Sequence, residues 1–121
     1  NLKKIKNTFV HGQQKNLQKY LKNSFCGIAN LKIATGMQNK ILTYMSYGLP
    51  VISSISSFKG SSFLKKNTHL LVYKNNLEFL NFLKKIKLNK KFSNQILKKN
   101  FINLKNKFNW INILSEYKKI I

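Results

Sequence analysis

The sequence predicts an α/β fold, a parallel sheet wrapped by helices. Three observations carry this. Short apolar runs alternate with stretches of helical spacing, the order that builds parallel strands joined by crossover helices. The runs at 25–29, 51–55 and 68–73 are uninterrupted by lysine or acid, as strands buried on both faces are. Gly48 and Pro50 mark a sharp passage from helix to strand.

Taken in order, Thr8, Phe9 and Val10 form an apolar run that stops at His11-Gly12, which reads as a strand end and a turn. Leu17, Tyr20 and Leu21 then show the three/four spacing of a short amphipathic helix. Phe25 to Ala29 is the next strand, and Ala34 to Gln38 a polar turn. Asn39 to Gly48 is a helix with Ile41, Leu42 and Met45 on one face. Gly48 sits where a left-handed cap belongs, and Pro50 follows where a helix cannot continue. Val51 to Ile55 is a strand, Ser56 to Asn67 a loop, and Thr68 to Tyr73 another strand. Three helical stretches close the chain: Leu77, Leu80, Phe82 and Leu83 face one way in the first, Phe92, Ile96, Leu97, Phe101 and Leu104 give a three/four spacing in the second, and Trp110, Ile113, Leu114 and Tyr117 do so in the last. In such a sheet ligands bind at the carboxyl ends of the strands. The turns expected there are His11-Gly12-Gln13, Lys32 to Asn39, and Ser53 to Gly60.

Composition narrows the chemistry. The chain has 121 residues, with 23 cationic side chains against 2 acidic ones, a formal net charge of +21. All the cations are lysine, and the acids are Glu78 and Glu116. Hydrophobic residues make up 43% of the chain, too many for a disordered polybasic tail. Two separated acids do not make a catalytic carboxylate pair. The single Cys26 excludes an internal disulfide, and His11 and His69 match no metal motif. No apolar run reaches the length of a membrane span. The first residue is Asn1, so the chain reads as a piece of a longer protein. Readers of phosphates and bases lean on arginine, which is absent here. Lysine as the default solvent-facing residue therefore outweighs nucleic-acid binding, although lysines interleave with Phe92 and Phe101.

The stretch from Thr35 through Gly36-Met37-Gln38-Asn39-Lys40 to Gly48-Leu49-Pro50-Val51-Ile52 resembles the signature of retaining GT-B glycosyltransferases of the group 1, family 4 type. Val10-His11-Gly12 and Asn16 to Leu21 resemble that family's upstream strand, glycine turn and helix, and Phe108-Asn109-Trp110 with Tyr117 its C-terminal helix. The resemblance implies a Rossmann-like fold, the C-terminal donor-binding domain of a GT-B enzyme truncated on its N-terminal side. Residues 1–107 would form the partial nucleotide-sugar-binding domain. Residues 108–121 would form a helix packing back toward the N-terminal acceptor domain, a partner in cis.

The resemblance also implies the site. Gly36, Met37, Gln38, Asn39 and Lys40 would hold the donor diphosphate. A glycine turn that opens a helix aims free N–H groups and a positive dipole end at an anion, which makes this reasonable. Thr35 would lie near the donor sugar, and Gly12 and Gln13, beside His11, near the base. Many relatives carry two glutamates eight positions apart, the second binding the ribose. Thr35 and Thr43 stand at those positions, so the ribose role falls to Thr43. No catalytic acid, base or nucleophile is assigned, and no metal or other cofactor is implied.

The implied activity is transfer of a sugar from a nucleotide-sugar donor to a saccharide or lipid-linked acceptor, in cell-surface polysaccharide biosynthesis. The implied setting is cytoplasmic, with contact to the anionic inner face of the cell membrane. The alternative is a non-enzymatic, lysine-rich module that binds nucleic acid or anionic membrane. Binding that falls steeply with salt and ignores nucleotide sugars distinguishes it.

Overall fold

A computed structural model describes residues 4–36, 38–61 and 64–107. The elements run α1 (Gln18–Leu21), β1 (Gly27–Ala29), α2 (Asn39–Ser46), β2 (Val51–Ser54), α3 (Ile55–Lys59), β3 (Leu70–Tyr73), α4 (Asn76–Leu88) and α5 (Lys90–Lys107). Among the described residues the sheet has three strands in the order β1-β2-β3, and both pairings are parallel. The Rossmann-like α/β reading is therefore the observed architecture.

The apolar runs are apolar because the sheet is covered on both faces. Val51 in β2 and Leu70 and Val72 in β3 pack with Ala29, Ile41, Met45 and Leu64 on one face. Their strand neighbours Ile52 and Leu71 pack with Ile86 and Ile96 on the other. Successive strand residues point to opposite faces, so both sets must be apolar. Each fully buried Val, Leu or Ile contributes roughly 1.5–3 kcal/mol relative to exposure. Helix α2 lies against β1 and β2, α4 against β2 and β3, and α5 spans from α4 to α2.

Local signals bound the helices, and α2 ends where the sequence places its cap. Gly48 adopts φ 70°, the left-handed value that a side chain disfavours. Its N–H donates to the Met45 carbonyl, and the Leu49 N–H to the Tyr44 carbonyl. That pair of bonds is a Schellman cap. Helix α4 opens on Asn75, whose Oδ1 accepts the Glu78 N–H at 2.9 Å. Glu78 Oε2 reaches back to the Lys74 N–H at 2.8 Å, a variant of the capping box. Asn89 caps α5 in the same way, accepting the Phe92 N–H at 2.9 Å.

Three expectations change. Leu77 and Leu80 do not share a face with Phe82 and Leu83: the first two are exposed and the last two pack on the sheet, because 100° per residue separates them around the helix. Thr8 to Val10 is not a strand: it pairs with none of the three described strands, and Phe9 is 82% exposed. Three residues ended by a glycine turn bury too little to pair without a neighbouring strand. Ser56 to Asn67 is not all loop, because α3 occupies its start and takes Ile55 from the end of the expected strand. Ser54 caps that helix, its hydroxyl accepting the Ser57 N–H at 3.2 Å. The expected helix at 110–117 lies outside the described residues.

Candidate functional site

Three parallel strands put their carboxyl ends on one edge of the sheet. From there β1 runs into the loop 30–38, β2 into α3, and β3 into Lys74 and Asn75. Three lysines in the segments that leave this edge, Lys32, Lys40 and Lys74, are exposed. The carboxylate of Glu78 accepts the Lys74 N–H.

The loop 30–38 delivers the chain to the start of α2. Gly36 has φ 69°, and a Cβ there would meet nothing within 4 Å. Glycine is required by the backbone conformation, not by crowding. Gln38 is the N-cap residue, yet its side chain makes no cap bond. Its amide instead donates back to the Gly36 carbonyl at 3.2 Å. Helix α2 carries no acid in its first turn. In contrast, α3, α4 and α5 each open on a side-chain oxygen that accepts an N–H of the first turn. The first N–H groups of α2 thus lack the side-chain acceptor that the other three have, and the positive end of its dipole is uncompensated.

The other expected residues are placed as follows. Thr35 is exposed in the loop before Gly36, and Asn39 and Lys40 are exposed in the first turn of α2. Thr43 is half-buried one turn further on, its hydroxyl donating to the Asn39 carbonyl at 2.9 Å. It lines a cleft of about 380 Å³ with Leu42, Ser46 and Leu104, between α2 and α5. Met37 lies outside the described residues. Gly12 and Gln13 are exposed. Their turn is tied within its own segment: the His11 ring lies 4.6 Å from that of Tyr20, whose hydroxyl donates to Gln14 at 3.1 Å. The structure therefore gathers Thr35, Gly36 and Gln38 to Lys40 on one short segment, with Thr43 a turn away.

Two serines that the sequence reading passed over hold this segment in place. The Ser54 hydroxyl donates to the Leu31 carbonyl at 2.9 Å, and Ser57 Oγ accepts the Leu31 N–H at 3.0 Å. The two hydroxyls lie 3.0 Å apart. Since the proton of Ser54 is committed to Leu31, that of Ser57 lies between them. The loop leaving β1 is thereby tethered to the turn leaving β2. Nothing in the Ser-x-x-Ser spacing points to Leu31.

Other reactive side chains serve the core. Burial pushes the Cys26 thiol up to about 11, which disfavours the nucleophilic thiolate. His69 is buried, and its Nδ1 accepts the Lys65 N–H at 3.0 Å. Burial, then Lys65 and Lys99, lower its pKa. Phe92 packs into the core with Lys85 over its ring at 4.2 Å, so it is no stacking platform. Among the described residues no three His, Cys, Asp or Glu come together as metal ligands. No described helix is long and apolar enough to cross a membrane.

Comparison with known proteins bears on the family. The family model described as "Glycosyl transferases group 1" matches residues 1–87, from the N-terminal turn through β3 and most of α4. Neither the curated proteins nor the solved structures gave a match. A family match over more than half of the chain, on a parallel sheet covered by helices, shows that this chain belongs to the group 1 glycosyl transferases.

Proposed function

We propose that this chain is the donor-binding half of a retaining, family 4 type glycosyltransferase, and that the start of α2 holds the diphosphate of a nucleotide sugar. One observation carries the reading. Helix α2 opens behind a left-handed glycine with no side-chain cap and no acid in its first turn, while the other capped helices supply their own acceptor. A diphosphate oxygen is the acceptor such a helix start favours. Backbone N–H groups of residues 37–39 hold the phosphates, and Lys40 adds a positive charge at the rim. Thr43 bonds a ribose hydroxyl, Thr35 borders the sugar, and Gly12 and Gln13 border the base.

In this role the protein orients the donor and stabilises charge on the departing nucleoside diphosphate as the glycosidic bond breaks. The acceptor is a saccharide or a lipid-linked saccharide, and the pathway is cell-surface polysaccharide assembly. The same reading has the protein work in the cytoplasm against the inner face of the membrane, where lipid-linked acceptors are displayed.

Calorimetric titration with uridine, guanosine and adenosine diphosphates tests the donor site. At least one binds, and Lys40→Gln weakens it about fivefold, the loss of one partly screened charge contact. Binding that is equal for inorganic phosphate and all three nucleotides, or unaffected by Lys40→Gln, refutes the assignment.

A further inference from the structure

Helix α4 carries leucine on both of its faces. The inward face is Phe79, Phe82, Leu83 and Ile86, packed with Ile52 and Leu71 of the sheet. At about 100° per residue, Leu77, Leu80, Lys84 and Leu88 fall on the opposite side. Leu77 is 69% exposed, Leu80 50% and Leu88 81%. Lys84, Lys85 and Lys87 are exposed among them, and Lys90 and Lys91 extend the positive charge past Leu88. The one acid of α4, Glu78, has its carboxylate on the Lys74 N–H. A helix that faces only water carries polar residues on its outer side. Three leucines lined up there mark a surface that something covers.

We propose that the outer face of α4 docks on an anionic lipid bilayer, with Leu77, Leu80 and Leu88 at the acyl boundary and the lysines on the headgroup phosphates. Charge complementarity selects this occupant. The face is net positive, with Glu78 the one acid of α4 against the lysines around it, and the whole chain carries +21. Two copies set face to face would repel. A nucleic acid would meet leucines, which offer no ring on which a base stacks. An amphipathic helix with leucines framed by lysines matches an interface that is apolar below and anionic above. This deepens the membrane part of the reading above and uses no donor chemistry, so either can fail while the other stands.

Co-sedimentation of the full chain with phosphatidylcholine vesicles containing about a third phosphatidylglycerol, without nucleotide, tests it. Lysines elsewhere add a general attraction, so the deciding variant removes leucine: Leu77→Asn with Leu88→Asn. Partitioning should fall at least about tenfold, from the lost apolar burial. The pair Phe101→Asn with Ile102→Asn on α5, 68% and 49% exposed in the parent, should change it less than about twofold. Lys84→Gln and Lys87→Gln should each cost about fivefold. A Leu88→Trp variant, read above the Trp110 background, should shift its emission to the blue only with anionic vesicles. No binding, equal binding to pure phosphatidylcholine, equal loss from both apolar pairs, or an oligomer that the α4 pair dissolves would each overturn the proposal.

Discussion

Replacing Ser57 with alanine tests whether the candidate site is held by the serine tether. Ser57 is fully buried. The substitution leaves the Leu31 N–H without its acceptor at 3.0 Å and removes the proton shared with Ser54. An N–H deprived of its partner costs about 1–3 kcal/mol when buried. Leu31 is only half-buried, so the lower part of that range applies. The hydroxyl pair adds about 0.5–1.5 kcal/mol, for a total of about 2 kcal/mol. At roughly 4 °C per kcal/mol for a domain of this size, Tm falls by about 8 °C. Thermal and urea unfolding measure this, with an unchanged urea slope showing that stability alone has moved. Ser54→Ala removes the cap of α3 and the bond to the Leu31 carbonyl, at about 1–2 kcal/mol. The double variant should cost less than the sum by at least about 0.5 kcal/mol, because both hydroxyls hold one loop. The same loosening reaches the loop 30–38, so nucleoside diphosphate affinity falls in parallel. A Ser57→Ala change within about 0.5 kcal/mol, additive with Ser54→Ala, would refute the tether.

Three further outcomes follow from the packing and the charges. A Cβ at Gly27 would overlap the Tyr44 ring and come within 2.8 Å of the Tyr44 Cβ. Gly27→Ala should therefore cost about 1–3 kcal/mol in urea unfolding, and trimming Tyr44 to Ala should not restore full stability; a neutral Gly27→Ala contradicts this contact. His69 has its pKa lowered from 6.5, so below that pH the unfolded chain binds a proton that the native ring resists. Stability thus rises with pH through the window just below 6.5 and is lost as pH falls, and melts across about pH 5 to 7 should show a shallower slope in His69→Gln. An equal slope in both proteins assigns the dependence to other groups. Thr43→Glu should tighten nucleoside diphosphate binding about tenfold by titration, as a carboxylate replaces a hydroxyl at the ribose; unchanged or weaker affinity removes Thr43 from the ribose role.

Much of this protein is legible in one dimension because its signals are local. Gly48 and Pro50 announce the end of α2, and the structure answers with a left-handed glycine and a Schellman cap. The uninterrupted apolar runs state that the sheet is covered twice, and Ile52 and Val51 do pack to opposite faces. Helix α3 was hidden because five residues rich in serine carry no helical period, and only the capping bond to Ser54 reveals them. Thr8 to Val10 misled because an apolar triplet before glycine reads as a strand whether or not a neighbour exists to pair with it.

The sequence by itself determined the fold class, the three paired strands and the helix that ends before Gly48, since periodicity, caps and a glycine turn are properties of neighbouring residues. Only the tertiary structure decided what that segment stands on and what surrounds it. Leu31 and Ser57 are far apart in the chain and meet because parallel pairing brings the ends of β1 and β2 to one edge. The outward leucines of α4 likewise became distinct from its inward ones only once Phe82 and Ile86 were seen against the sheet. A helical period names two faces, and packing decides which of them meets water.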